Sequence, residues 1–338
     1  MSLGAHFESE IREQPELWLR LARSDAAARL ARTIDGDVVL VGSGSSLFVA
    51  QLGALALRRR GVNAQALAAT EARLDNNAYR GRVVIAVSQS GRSTDLLEAL
   101  DRLEPRRLVA LTNTIPSVLA TRADVAIDVG AGPEIAVPAS KTVSATAAIL
   151  LWAASLVARD GHRDGAILER TARAVAAWLE NPGEGAGRVA RAAARIARRS
   201  SVVVLGSDYG LPIACEAALK LKEASYLHSE GFAAGEFRHG SIAMIDATCA
   251  VIGIVDGDAF ANVARPLREI EASEALRYTI GGPDMDGIAR LGPDVEVPFN
   301  TLAWLVTAQM LALEAARARH IDSDTPRGLK KTLVSEKG

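Results

Sequence analysis

The feature that most limits the fold is a repeat. Val38-Val39-Leu40-Val41-Gly42-Ser43 recurs as Val202-Val203-Val204-Leu205-Gly206-Ser207. The register continues into the next segment, where Leu47, Ala50, Ala54 and Leu55 pair with Leu211, Ala214, Ala218 and Leu219 at the same offset. An apolar strand that ends in Gly-Ser and runs into a helix, used twice, predicts a duplicated α/β domain. The chain has 338 residues, 49% hydrophobic against 23% charged, which is enough for a buried core in each copy.

Short β-branched runs at 38–41, 62–67, 83–87, 108–111 and 125–129 alternate with helical patterns, notably 47–60 and 94–103. Near-continuous apolar strands separated by helices predict a parallel sheet covered on both faces. A helix over 140–159 closes this unit. Helical segments near 166–180 and 187–198 follow, divided by the breaker Asn181-Pro182-Gly183. The second copy continues with strands near 249–255 and 276–280 and helices near 259–272 and 302–319.

The expected fold class is therefore α/β: two similar domains from an internal duplication, each a mostly parallel sheet flanked by helices in three layers. The expected layout is an N-terminal helical segment (1–30), a first domain (31–160), connecting helices (161–198), a second domain (199–320) and a polar tail (321–338).

The formal net charge of −1 leaves no broad electrostatic footprint for nucleic acid or an anionic membrane. Arg58-Arg59-Arg60 and Arg198-Arg199 fall at the ends of helix patterns, where cations suit the helix dipole. The two cysteines, Cys215 and Cys249, have no metal-ligand or CxxC spacing, so neither a disulfide framework nor a zinc site is expected. The first residues lack the basic and apolar regions of a signal peptide, and the apolar stretch 145–158 is too short to span a bilayer. A soluble cytoplasmic protein is expected.

Chemistry concentrates in three places. Ser88-Gln89-Ser90-Gly91-Arg92-Ser93 lies where a strand ends and a helix begins, the usual ligand crevice of an open α/β sheet. Backbone N–H groups and the helix dipole favour an anion there, several hydroxyls and an amide add donors, and Gly91 allows close approach. One hydroxyl would be an ordinary helix cap; this density fits a phosphate monoester held without a metal. Gly42-Ser43-Gly44-Ser45-Ser46 is a second loop of this kind. Leu47 stands where a dinucleotide fingerprint needs its third glycine, and neither a GxxxxGK[ST] loop nor a GxSxG elbow occurs.

The third place is Glu216, Lys220 and Glu223, which share one helix face at i, i+4 and i+7. Spacing alone favours a solvated surface ion pair. Glu230, Glu236 and His239 follow, and a carboxylate with a histidine suffices for proton transfer at carbon. No metal-ligand pattern such as HExxH occurs. His6, His162 and His320 stand in polar contexts and look incidental; His228 is undecided.

Together these motifs resemble the sugar isomerase (SIS) family. The likeness is greatest to the isomerase portion of glucosamine-6-phosphate synthases and to stand-alone SIS-type glucosamine-6-phosphate deaminases. It runs almost end to end, through Glu10-Ile11-Arg12-Glu13-Gln14-Pro15, the 88–93 loop, Glu134-Ile135-Ala136-Val137, Ala218-Leu219-Lys220-Leu221-Lys222-Glu223 and the 326–331 tail.

The resemblance implies that Ser46, Ser88, Gln89, Ser90 and Ser93 ligate phosphate, and that Ser45 and Val137 line the sugar site. It makes Glu223 the base that moves a proton between C1 and C2. It makes His239 the ring-opening group, contributed in this family by the neighbouring subunit of a homodimer. Lys220 and Lys331 complete the site, and no metal or organic cofactor is implied.

The synthases carry a glutaminase domain with a leading cysteine, and these 338 residues contain no counterpart. Arg92 replaces the Glu usual in the synthase loop, and Phe237-Arg238 replaces Leu-Lys; both look like the stand-alone group. Pro138-Ala139-Ser140 departs from the synthase's Ala-Ser-Thr, which bears on sugar selectivity. The expected reaction is glucosamine 6-phosphate to fructose 6-phosphate plus ammonia. The alternatives are an aldose–ketose phosphate isomerase, a deaminase for another amino sugar phosphate, or a non-catalytic sugar-phosphate sensor.

Overall fold

The structure is a computed structural model that describes residues 2–74, 78–183 and 185–331. Three helices open the chain: α1 (Ala5–Arg12), α2 (Gln14–Leu21) and α3 (Ala26–Ala31). The first sheet region runs β1 (Val38–Gly42), α4 (Ser45–Arg58), β2 (Ala64–Ala68), α5 (Ala69–Ala72), β3 (Val83–Ser88), α6 (Thr94–Leu103), β4 (Arg107–Thr112), α7 (Val118–Arg122) and β5 (Val125–Asp128). Next come α8 (Lys141–Val157), α9 (Asp164–Glu180) and α10 (Ala186–Ile196). The second sheet region runs β6 (Ser201–Gly206), α11 (Gly210–Ser225), β7 (His228–Ala233), α12 (Ala234–Phe237), β8 (Cys249–Ile254), α13 (Phe260–Glu269), β9 (Leu276–Ile280), β10 (Ala289–Leu291) and α14 (Asn300–Ala318).

The duplication is visible in the topology. The sheets have orders β2-β1-β3-β4-β5 and β7-β6-β8-β9-β10, which are the same order. Every strand pair is parallel. The described residues divide into two compact units: those of Glu16–Glu134 and Lys141–Glu169 with Lys330 and Lys331 around the first sheet, and residues 2–15, Ile135–Ser140 and those of Arg170–Leu329 around the second.

In the first unit, strand residues alternate between two covered faces. Val39, Val41, Val84, Ala86, Leu108 and Ala110 pack under α5, α6 and α7. Leu40 points the other way, toward Gly53 of α4 and Leu150 of α8. Helix α6 docks through Leu96, Ala99, Leu100 and Leu103, a stripe at helical spacing that is wholly buried. Burying each leucine contributes about 1.5–3 kcal/mol, which anchors the N-terminus of α6 beside the end of β3.

The second unit is layered likewise. Val203, Leu205 and Val251 pack with Ala234 and Phe237 of α12 and Val263, Ala264 and Leu267 of α13. Helices α10, α11 and α14 pack together, with α11 also against β6 and β7. The strands foreseen from apolar runs are present, that of the 62–67 run lying at Ala64–Ala68. Two strands are not foreseen, β7 and β10. His228-Ser229-Glu230-Gly231-Phe232-Ala233 is polar and carries a glycine, as an edge strand tolerates, and it is held by its register with β6. Among the described residues, no helix is long and apolar enough to cross a membrane.

Candidate active site

The order 2-1-3-4-5 has a topological switch point between β1 and β3, where ligands of open α/β sheets bind at the carboxyl ends of the strands. Both serine-rich loops of the first unit are there, because β1 and β3 are paired neighbours. Ser45 and Ser46 form the first turn of α4, half-buried. Its N-cap is Gly44, which has no side chain to cap with. Gly42 makes this packing possible, since a Cβ there would lie 2.6 Å from the Ser46 carbonyl carbon.

The 88–93 loop turns tightly after β3. Ser88 Oγ accepts from the Gly91 N–H at 3.1 Å and Ser90 Oγ from the Arg92 N–H at 3.3 Å. A hydroxyl that accepts from backbone keeps its own proton to donate to a phosphate oxygen. Gly91 has φ +61°, and a Cβ on it would lie 2.2 Å from Ser117 Oγ, so no other residue fits this turn. Ser93 precedes α6 without capping it, whereas Ser117 does cap α7 by accepting from Ala120 N–H. At the switch point neither α4 nor α6 has a capping hydrogen bond from its N-cap side chain, an arrangement that suits an anion.

The loop is braced from behind. The Gln89 carbonyl accepts from the Asn113 N–H (3.2 Å), Thr112 Oγ1 (3.3 Å) and Thr114 Oγ1 (3.1 Å), which directs that oxygen to the end of β4. The equivalent switch point of the second unit, after β6 and β8, carries Ser207-Asp208 and Asp256-Gly257-Asp258. Carboxylates there repel a phosphate. Among the described residues the two copies therefore differ at this point: serine-rich loops in the first, aspartates in the second.

The proton-transfer candidates lie on α11 in the second unit. Lys220 Nζ donates to Glu223 Oε2 and lies 3.5 Å from Glu216 Oε1. The Lys220 and Glu216 side chains are 1% and 2% exposed, and Glu223 is 21% exposed. This corrects the surface-pair reading of the spacing: the ammonium and one carboxylate are buried, and the second carboxylate reaches solvent. A lysine placed this way holds the Glu223 carboxylate in one orientation.

The other expected residues are placed as follows. His239 is exposed, in the turn after α12, with its N–H on the Glu236 carbonyl at 2.9 Å. Arg238 beside it is committed to Glu269, with Nε at 2.7 Å and Nη2 at 2.9 Å. Glu230 and His228 are exposed together on β7, 3.8 Å apart. Val137 is half-buried and donates its N–H to the Asp324 carbonyl at 3.0 Å. Lys331 belongs to the first unit, where its Nζ is 3.0 Å from Glu134 Oε2.

Sequence reasoning passes over the residues that hold these parts still. The buried Glu10 accepts from the Ile135 and Ala136 N–H groups and so fixes the turn before Val137. The Asp324 carboxylate accepts from the His6 (3.0 Å) and Phe7 (2.8 Å) N–H groups at the start of α1. Tyr226, just past α11, accepts from the Arg327 N–H at 2.7 Å and lies under its guanidinium at 4.4 Å. Only Glu10 and Glu134 carried a signal, as parts of motifs that resemble the family.

Two doubly wound αβα units built on one duplicated pattern are the architecture that the resemblance to the SIS family implies. Comparison with known families agrees: the SIS domain family matches residues 35–156 and 195–317, and the chain belongs to that family. It is 33% identical over 312 residues to the isomerizing glutamine–fructose-6-phosphate aminotransferase of Sulfolobus acidocaldarius, covering 89% of this chain and 50% of that protein. Against the same-named protein of Mycolicibacterium smegmatis it is 36% identical over 274 residues, 76% of this chain and 44% of the other. The chain spans about half the length of the curated relatives it matches.

Among solved structures, the C-terminal domain of glucosamine-fructose-6-phosphate aminotransferase from Francisella tularensis superposes with TM-score 0.82 at 22% identity, covering 95% and 98% of the two chains. Glucosamine-6-phosphate deaminase from Thermotoga maritima gives 0.81 at 22% identity, over 98% and 100%. Both share the fold.

Proposed function

We propose that the chain is an amino-sugar-phosphate deaminase that converts glucosamine 6-phosphate and water to fructose 6-phosphate and ammonia. The observation that carries this reading is Glu223, a partly exposed carboxylate held by a buried lysine. Phosphate in the 88–93 loop, with Ser46, supplies binding energy remote from the reacting carbons and positions them. Ser45 and Val137 line the sugar site.

His239 opens the ring by exchanging a proton with the ring oxygen. Glu223 then removes the C2 proton to give an enolamine and returns it to C1. This leaves a C2 imine, which water hydrolyses to the ketone with release of ammonia. Lys220 orients Glu223, and Lys331 assists at the open-chain sugar. Arg92 and Phe237-Arg238, which resemble the stand-alone group, support deamination over synthesis. The exposure of His239 supports a role in the site of a second subunit of a homodimer.

Ammonia release from glucosamine 6-phosphate, with unphosphorylated glucosamine as control, tests the reading. Release that depends on the phosphate is expected. No ammonia above background from folded protein overturns it. Conversion of an aldose phosphate to its ketose without ammonia would favour an isomerase built on the same proton transfer. Glu223→Gln should abolish turnover and leave sugar-phosphate binding within a few-fold; undiminished turnover would remove Glu223 from the mechanism.

A further inference from the structure

We infer that Glu134 is a positioning residue that seats Lys331, an inference that rests on the function proposed above. The Glu134 side chain is 0% exposed, with Lys331 Nζ at 3.0 Å and Lys331 itself 24% exposed. The same carboxylate accepts from the Thr142 N–H at 3.1 Å and from Thr142 Oγ1 at 2.8 Å. Thr142 is in the first turn of the 17-residue α8, so the charge also sits at a helix N-terminus. Glu134 is thus a fixed acceptor, and Lys331 is a point charge on a flexible stem that such an acceptor orients.

The segment that carries Glu134 is itself held. Asn113 Nδ2 donates to the Gly132 carbonyl at 2.8 Å, and Asn113 Oδ1 accepts from the Ala131 N–H at 2.8 Å. The Asn113 N–H meanwhile donates to the Gln89 carbonyl of the phosphate loop. One residue at the end of β4 therefore ties the loop that would take the phosphate to the segment that seats the lysine. Both parts lie in the first unit, so the bracing does not depend on the second sheet.

The test is a double-mutant cycle with a separate reading of the tail. E134Q, K331A and the double variant are compared with wild type by kcat and KM on the sugar phosphate turned over. E134Q should lower kcat roughly tenfold or more with KM within about twofold, as misplacement of a reacting group does. The double variant should be no slower than K331A alone, because Glu134 acts through Lys331. Losses that multiply in the double variant overturn the inference, since a merely structural residue would add its own effect.

Tryptic cleavage after Lys330 and Lys331 reads the seat without any turnover. E134Q should cleave several-fold faster there than wild type, and equal rates overturn the inference. E134D keeps the charge and draws the acceptor back by one methylene. It should shift kcat and cleavage in the same direction by less, which covers the case in which E134Q folds poorly; wild-type values for both would also overturn the inference. Absence of turnover in wild type refutes the function reading alone, and the proteolysis arm still decides the seat.

Discussion

The duplication provides its own control for where the phosphate binds. Gly42 and Gly206 occupy the same place in the two copies, at the end of the first strand of each sheet. A Cβ at Gly42 would lie 2.6 Å from the Ser46 carbonyl carbon; at Gly206 it would lie 2.2 Å from the Gly210 carbonyl oxygen. Carbon atoms pack at about 3.5–4.0 Å, so alanine at either site must push the following helix away by roughly 1 Å. Overpacking of this kind costs about 1–3 kcal/mol, and both variants should unfold several degrees below wild type.

On the function proposed above, only Gly42→Ala displaces a hydroxyl that would meet the phosphate, that of Ser46. Losing one hydrogen bond to a charged oxygen costs about 1.5–3 kcal/mol, or roughly ten- to a hundredfold in affinity. Titration calorimetry with glucosamine 6-phosphate, at a temperature where both variants are folded, separates the effects. Gly42→Ala should bind roughly ten- to a hundredfold more weakly, and Gly206→Ala should bind like wild type. Unchanged affinity in Gly42→Ala, or equal loss in Gly206→Ala, refutes the assignment of the phosphate to the first copy.

Lys220→Met removes the ammonium beside the buried Glu216 and should destabilise the fold by about 3–5 kcal/mol in urea unfolding; a loss under about 1 kcal/mol would mean that the pair behaves as a solvated one. For Glu8, burial acts to raise the carboxyl pKa, but hydrogen bonds and charge from Arg317 and Arg12 outweigh it and hold it below the ordinary glutamate value. Its contribution is therefore present above the unfolded pKa of about 4.3 and lost as pH falls through the lower folded value. Glu8→Gln should flatten that acid limb of a stability–pH curve, and an unaltered limb would count against the pair. Mixing inactive Glu223→Gln and His239→Ala proteins should restore activity through hybrid sites; no recovery despite demonstrated subunit exchange would make each site self-contained.

Much of the scaffold was legible. Helix α6 was anticipated over Thr94–Leu103 because its apolar residues recur at helical spacing on one face. Strands β3, β4, β6 and β8 were legible because both of their faces are covered, which makes the run apolar throughout. The same reasoning misses β7, whose exposed residues carry no such signal. The serine loops were legible as candidates because they fall at strand ends, where an α/β sheet opens.

The repeat on which the fold rests is a local, periodic property, and the sequence by itself determined it: two parallel sheets, their strand–helix units and the loops that end them. The environment of each charged face is different, because spacing along a helix says which side chains share a face and nothing of what covers it. Glu216, Lys220 and Glu223 read as a surface pair until α14 and β7 are seen packed against α11. Lys331 and Glu134 stand far apart in the chain, and only folding brings the ammonium to 3.0 Å from the carboxylate. Periodicity is written in neighbours along the chain; burial and charge pairing depend on residues that meet only once the core has closed.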